Sequence, residues 1–305
     1  MNISFVIPMY NEEMHIENCI QSIVTEMDLD DEIIVVDNGS TDNSKELCMK
    51  YRQITLISVP RMTISSARNI GVRNTKNELI AFIDADCVIL PGWRKRVIHC
   101  ISKGDIAAVG SRYHLPNNPN IIEKVWYSQK IHEVSRAKYI NSGNLVVKKK
   151  IFEKIGGFNE QLITGEDAEL GWRLNRDGYI VVEDPTIVCI HNGNPKSLAG
   201  FYKKQKWHAI GMFGTYRISL FDKPLIMTFA FFICIIIAIF INIKKVPLVY
   251  SILTFLSVPT ITSIYRVYQY KNVKYIFHLV ALYVIYYTAR LHALLEITFL
   301  VHKRN

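Results

Sequence analysis

Leu79-Ile-Ala-Phe-Ile-Asp-Ala-Asp86 decides the fold of this 305-residue chain. Five apolar residues in a row fit a short strand buried on both faces, and two acids close it. The same pattern stands upstream. Residues 3–7 are apolar except for Ser4 and run into Pro8-Met9-Tyr10-Asn11-Glu12; residues 33–36 are apolar and run into Asp37-Asn38-Gly39-Ser40. Residues 54–59 predict a third strand. Helical spacing separates the strands: Ile16, Ile20, Ile23 and Val24 share one face, a second helix starts at Asp42 or Ser44, and a third covers 65–74. Strands of this kind alternating with helices predict an α/β fold with a mostly parallel central sheet. Ligands in such sheets bind beyond the carboxyl ends of the strands, where this chain places its acids.

After Pro91 the pattern loosens. Residues 106–109, 145–147 and 187–190 predict strands, 121–136 a helix, and Glu166–Arg176 a helix with Glu169 and Arg173 one turn apart. From Pro224 the composition changes. Residues 225–243 hold only Thr228 and Asn242 as polar residues, long enough to cross a bilayer. A second apolar stretch, 247–264, contains Pro259. A third, 275–301, carries His278, Arg290, His292 and Glu296, which argue for an interfacial helix as its length argues for a span.

Charge divides the chain at the same place. From Lys196 onward 14 Lys and Arg face only Asp222 and Glu296, a net +12, which leaves −3 for residues 1–195. A basic half meets an anionic surface, and the apolar runs within it favour a membrane over nucleic acid. Half the residues are hydrophobic, which excludes a disordered chain. Six cysteines without a C-x-x-C pair exclude a disulfide scaffold and read as buried free thiols in a reducing compartment. The first eight residues lack the basic start and long apolar run of a signal peptide.

Four places could carry chemistry. In extended chain Asp84 and Asp86 point the same way, and two carboxylates at a strand end suit a divalent cation, Mg²⁺ or Mn²⁺; the same pair could merely cap a turn. Asp37 suits an Asx-turn or a ligand contact. Glu166 and Asp167 follow Thr164-Gly165, where Thr164 could cap the helix and acids complement its dipole, or one could act as a general base. His191 ends a strand before Asn-Gly-Asn-Pro, as a structural residue or a ligand.

Six segments occur in order: Pro8-Met-Tyr-Asn-Glu12, Val36-Asp-Asn-Gly-Ser40, Ala67-Arg-Asn-Ile-Gly71, Phe82-Ile-Asp-Ala-Asp86, Gly156-Gly-Phe-Asn-Glu160 and Gly165-Glu-Asp-Ala-Glu-Leu170. Together they resemble the family 2 glycosyltransferases, inverting enzymes of the GT-A fold, over about residues 1–195. The resemblance implies that Pro8, Tyr10, Glu12, Asp37, Arg68 and Asp84 bind a nucleotide-sugar, commonly a UDP-sugar. It implies that Asp84, Asp86 and His191 hold the metal–diphosphate. Asp167 would be the catalytic base, with Gly157, Phe158 and Glu166 on the acceptor side. A nucleotidyltransferase would open with a Gly-rich loop ending in Lys, and residues 7–11 have neither.

Processive members carry Q-x-x-R-W before their membrane helices; here Gln205-Lys206-Trp207-His208 departs from it, favouring single-sugar transfer. A hydroxyl on a lipid-linked or cell-surface glycan is the expected acceptor, because a polyprenyl phosphate, as dolichol-phosphate mannose synthases use, needs no base. The expected organisation is a GT-A domain over 1–195, a basic amphipathic interfacial segment over 196–223 with Trp207, Phe213 and Tyr216 in the interface, and a transmembrane region over 224–305. The catalytic domain is expected to face the cytoplasm, with basic residues flanking the first span inside.

Overall fold

The computed structural model describes residues 1–128, 133–214, 223–270 and 273–302. The chain forms two compact units: Met1–Asn117 with Ile131–Asn194, and Asn118–Lys130 with Pro195–Asn305.

The first unit begins β1 (Ile3–Met9), α1 (Ile16–Glu26), β2 (Glu32–Asp37), α2 (Ser44–Met49), β3 (Ile54–Ser58), α3 (Ile64–Arg73) and β4 (Leu79–Ile83). It continues β5 (Cys87–Ile89), α4 (Trp93–Ile101), β6 (Ile106–Gly110), β7 (Ser135–Arg136), β8 (Asn144–Lys148), α5 (Lys149–Lys154), α6 (Glu166–Arg176), β9 (Ile180–Glu183) and β10 (Cys189–His191). Eight strands form one sheet in the order β3-β2-β1-β4-β8-β6-β9-β7, and β5 pairs with β10 in a second. β3, β2, β1 and β4 run parallel, as do β6 and β9. β8 lies antiparallel between β4 and β6, and β7 antiparallel to β9. This is the expected α/β architecture.

Every residue of β1 and of β4 is buried, as continuous apolar strands under helices must be. On one face Phe5 packs against Trp93, with ring centroids 5.7 Å apart; on the other Phe82, Phe152 and Phe158 form a triangle with 5.0–5.3 Å edges. Burying each such ring contributes about 1.5–3 kcal/mol. Gly71 lets α3 lie directly on β1, since a Cβ there would collide with Val6 Cγ1.

Two local expectations fail for identifiable reasons. The helix over 121–136 is limited to a short turn, Glu123–Tyr127, and Ser135 and Arg136 pair with Glu183 and Val182 instead; residues 129–132 lie outside the described ones. The strand over 187–190 starts later, at Cys189, because the Ile187 carbonyl accepts from Ser111 Oγ at 2.6 Å and Asn144 Nδ2 at 3.0 Å.

The second unit holds α7 (Leu198–Gly214), α8 (Lys223–Ile243), α9 (Leu248–Tyr270) and α10 (Ile276–His302). Three segments, Lys223–Ile243, Leu248–Tyr270 and Val273–Ile297, are long and apolar enough to cross a membrane. The second outruns its expected end at 264: α9 continues past Pro259, whose carbonyl accepts from Ser263 Oγ at 2.7 Å. The polar groups of α10 are engaged within this unit. Glu296 pairs with Lys206 at 2.6 Å, His292 meets the Tyr202 hydroxyl at 2.5 Å, and Arg290 lies buried 4.4 Å over the Tyr286 ring. Such pairing lowers the cost of carrying charge into a span. In α7, Phe201, Gln205 and Ala209 recur every four residues as its buried stripe, with Trp207 exposed. Tyr216 and the Phe213 side chain lie outside the described residues. Trp126 anchors residues 118–128 against Phe201, Tyr283 and Tyr286, with centroids 4.9–5.2 Å apart.

Candidate active site

The carboxyl ends of β1 and β2 are laced together. Asn38 N–H donates to the Met9 carbonyl at 2.8 Å, Asn11 N–H to Ser40 Oγ at 3.0 Å, and Thr41 N–H to Asn11 Oδ1 at 2.8 Å. Asn11 sits at φ 54°, a left-handed conformation that Asn tolerates. Pro8 is buried within β1 opposite Val36. Tyr10 is exposed, with the Arg61 guanidinium 3.5 Å over its ring. Asp37 is buried and its Oδ1 accepts from Ser40 N–H at 3.0 Å, three residues on rather than the two of an Asx-turn. Asn38 fixes the approach to α3 through paired bonds with Met62 of 2.9 and 3.0 Å. Arg61 had no signal in the sequence beyond preceding α3.

At the end of β4 the chain turns at once: Cys87 N–H donates to the Asp84 carbonyl at 2.9 Å. Asp84 and Asp86 therefore stand on a turn, and the extended-chain argument for their common direction does not hold. They are used differently. Asp84 Oδ1 accepts from Arg68 Nη2 at 2.6 Å and Oδ2 from the Tyr113 hydroxyl at 3.2 Å. Asp86 Oδ2 lies 3.3 Å from His191 Nε2, while its buried Oδ1 has no hydrogen-bond partner among the described residues. Burial, and then the Asp86 charge, push the Glu12 carboxyl up to about 7, against the His15 hydrogen bond that lowers it. An orphaned carboxylate oxygen beside an imidazole, in a centre short of positive charge, fits a divalent cation. The ligand atoms of Asp86, Cys87 and His191 lie within 4.8 Å of one another. Burial raises the Cys87 thiol well above its usual range, and a hard cation prefers oxygen and imidazole to sulfur, which favours Asp86 and His191 as the donors.

Arg68 joins this centre to α6. It is 1% exposed, and its second arm, Nη1, donates to Glu166 Oε1 at 2.7 Å. It thus bridges two carboxylates rather than lying open to a nucleotide. Ser142 Oγ also donates to Glu166 Oε1 at 3.3 Å. Gly165, in the left-handed region at φ 81°, stands at the N-cap of α6 with no side-chain cap bond, so Thr164 does not cap the helix. Acids in the first turn instead meet the helix dipole. Asp167 is half-buried and its Oδ1 accepts from Ala168 N–H at 2.7 Å. Burial, and then the Glu166 charge, push its carboxyl up to about 6.

The preceding loop is clamped by α3. Asn69 exchanges bonds with the Phe158 backbone at 2.9 and 3.0 Å and donates to Glu160 at 2.9 Å. Gly157 sits at φ 68°, and its carbonyl accepts from Arg173 at 2.7 Å. The Phe158 ring, expected on the acceptor side, is 2% exposed and packs beneath Arg68 at 5.5 Å. It supports the site from the core.

Two residues that sequence reasoning missed are glycines. A Cβ at Gly143 would collide with Asp84 Oδ2 and the Tyr113 hydroxyl, and one at Gly193 with Asp86 Oδ2. Gly193 lies in the Asn-Gly-Asn-Pro run after His191, which reads as an ordinary turn. Gly193→Ala is expected to displace the Asp86 carboxylate and to cut divalent-dependent nucleotide affinity at least tenfold while the melting temperature moves by less than a few degrees. Calorimetry beside a thermal melt checks this; unchanged affinity would show that the Asp86 position does not matter.

Residues 4–157 match the family model described as Glycosyl transferase family 2, and residues 136–301 match Glycosyl transferase family group 2. Glycosyltransferase AglE of Haloferax volcanii is 27% identical over 205 residues, covering 63% of this chain and 67% of its own. Poly-beta-1,6-N-acetyl-D-glucosamine synthase of Staphylococcus epidermidis is 24% identical over 90% of this chain and 68% of its own. The mannosyltransferase PcManGT of Pyrobaculum calidifontis, solved with GDP-Man and Mn²⁺, shares the fold at a TM-score of 0.62 and 15% identity, covering 96% and 86% of the two chains. S. aureus TarS does so at a TM-score of 0.53 and 16% identity, and this chain spans 43% of that one. With its strand-end acids, mostly parallel sheet and three apolar helices, the chain belongs to glycosyl transferase family 2.

Proposed function

We propose that the chain transfers a single sugar from a nucleoside-diphosphate sugar, a UDP-sugar first, to a hydroxyl of a lipid-linked or cell-surface glycan, inverting the anomeric carbon. The observation that carries this is the Arg68 fork. It ties Asp84, two residues from Asp86, to Glu166, the neighbour of Asp167. One guanidinium thus sets the donor-side acids against the acid that would act on the acceptor.

Asp86 and His191 would hold a divalent cation, which when bound neutralises charge on the leaving diphosphate. Tyr10, Asp37 and Arg61 sit where the nucleoside would bind, at the ends of β1 and β2. Asp167 takes the proton of the acceptor hydroxyl as its oxygen bonds to the anomeric carbon. The bond from that carbon to the diphosphate oxygen breaks, and the electron pair leaves with the nucleoside diphosphate. Attack opposite the leaving group inverts the centre, with no covalent enzyme intermediate. Mn²⁺ and GDP-Man in PcManGT, and UDP-GlcNAc in TarS 1–349, support a cation and a nucleotide-sugar here.

Nucleotide-sugars are cytosolic, so residues 1–195 would work at the cytoplasmic face, with 196–223 along the interface and 224–305 in the membrane. Full-length chain in detergent, given radiolabelled UDP-, GDP- and TDP-sugars with Mn²⁺, tests the reading through labelled product, its length and its anomeric configuration. In the same preparation Asp86→Asn should lower divalent-dependent affinity for the nucleoside diphosphate by about tenfold or more, at an unchanged melting temperature. Equal affinity with and without the carboxylate would remove Asp86 from the donor site.

A further inference from the structure

α6 presents a second group beside Asp167. Gly171 lies four residues on, hence on the same face of the helix one turn away. That glycine exists to admit a neighbour: a Cβ there would collide with the Cβ of Tyr139 and the carbonyl of Lys138. Tyr139 is therefore docked one turn along from the candidate base.

Its backbone is held firmly. Asn175 Nδ2 donates to the Lys138 carbonyl at 3.0 Å and to the Ala137 carbonyl at 3.3 Å, and Ala137 N–H donates to the Val181 carbonyl at 2.8 Å. Yet the side chain is 47% exposed. The ring is therefore open to solvent on a fixed backing, on the face of α6 that also carries Asp167. Burial of its inner part, and then the nearby Asp167 carboxylate, raise the phenol above its ordinary range, consistent with this placement.

Resting on the glycosyl-transfer reading, we propose that Tyr139 is an acceptor-binding residue whose ring stacks on a sugar, so that the acceptor ends in a glycan unit. An aromatic face offers an apolar, polarisable platform that matches the C–H face of a pyranose. It offers nothing to a bare phosphate, which needs cationic or N–H donors. Held one turn from Asp167, the ring would bring a hydroxyl of the stacked sugar to the base. It would act through acceptor binding and leave the donor side untouched.

The test uses full-length chain in detergent, the best radiolabelled donor, and two acceptor probes: a panel of para-nitrophenyl hexosides and polyprenyl phosphate. Tyr139→Ala should raise the acceptor KM for the best hexoside about tenfold, with donor KM within twofold. Tyr139→Phe keeps the ring and should restore acceptor KM to within twofold of wild type. An unchanged acceptor KM in Tyr139→Ala overturns the proposal. So does a rise in donor KM with it, which would make Tyr139 a support of the whole site, or a wild type that uses polyprenyl phosphate and no hexoside. A wild type that consumes no nucleotide-sugar in any arm refutes the glycosyl-transfer reading itself, and this assignment with it.

Discussion

Asp167→Asn is expected to lower kcat about 10³-fold while affinity for the nucleoside diphosphate stays within twofold. General-base catalysis is worth about 10²–10⁴ in rate, and a base acts on the acceptor step, so the loss falls on turnover. The amide keeps the size of the side chain but cannot take the acceptor proton. Wild-type activity should be lost as pH falls through about 6, where burial and the Glu166 charge hold this carboxyl, because the protonated acid is no longer a base. The stability effect has the opposite sign. A folded pKa above the ordinary carboxylate value means that folding favours the proton, so the charged form is a liability at neutral pH, relieved as pH falls through 6. Asp167→Asn should therefore match or exceed wild type in melting temperature at pH 7.5. Stopped assays from pH 5 to 8, with calorimetric titration of nucleoside diphosphate, check both parts. A variant with full rate would show that the acceptor arrives already ionised, as a phosphate does; a variant that also loses donor binding would place Asp167 on the wrong side of the reaction.

The sheet was readable because its evidence is local. Five apolar residues in β4 and seven buried ones in β1 have no other stable home, and the acids that close them stand in the same few residues of sequence. Glu166–Arg176 was readable from its period and end signals alone. What stayed hidden depends on residues far apart in the chain. Arg68 and Glu166 are 98 positions apart, and nothing near Arg68 announces two carboxylate partners. Gly143 and Gly193 matter only through the oxygens that press on them, and a glycine with a steric duty looks like a glycine in a turn. Phe158 misled for the converse reason: it sits in a motif whose backbone reaches the site while its ring joins Phe82 and Phe152 in the core. The failed helix over 121–136 lost to strand pairing with β9, which no local pattern reports.

Arg68→Met should destabilise the first unit by about 3–5 kcal/mol, because it leaves Asp84 and Glu166 charged and facing each other with no cation between them. Arg68 is fully buried, and the two carboxylates hold its guanidinium firmly protonated, above the ordinary range, despite the cost of burial. Arg68→Lys keeps the charge but cannot fork to two carboxylates 2.6 and 2.7 Å from separate nitrogens, so it should recover only part of the loss. The decisive variant is the triple Arg68→Met, Asp84→Asn, Glu166→Gln, which removes all three charges together. If the cluster were kept for stability, the triple variant would stay destabilised. If it is kept to fix the donor-side acids against α6, the triple variant should regain most of the stability and none of the activity. Hydrogen exchange at the amides of β1 and β4 reads the local stability within the intact chain. Wild-type protection in Arg68→Met alone would mean that water already solvates the two acids, and that the fork does not hold the site together.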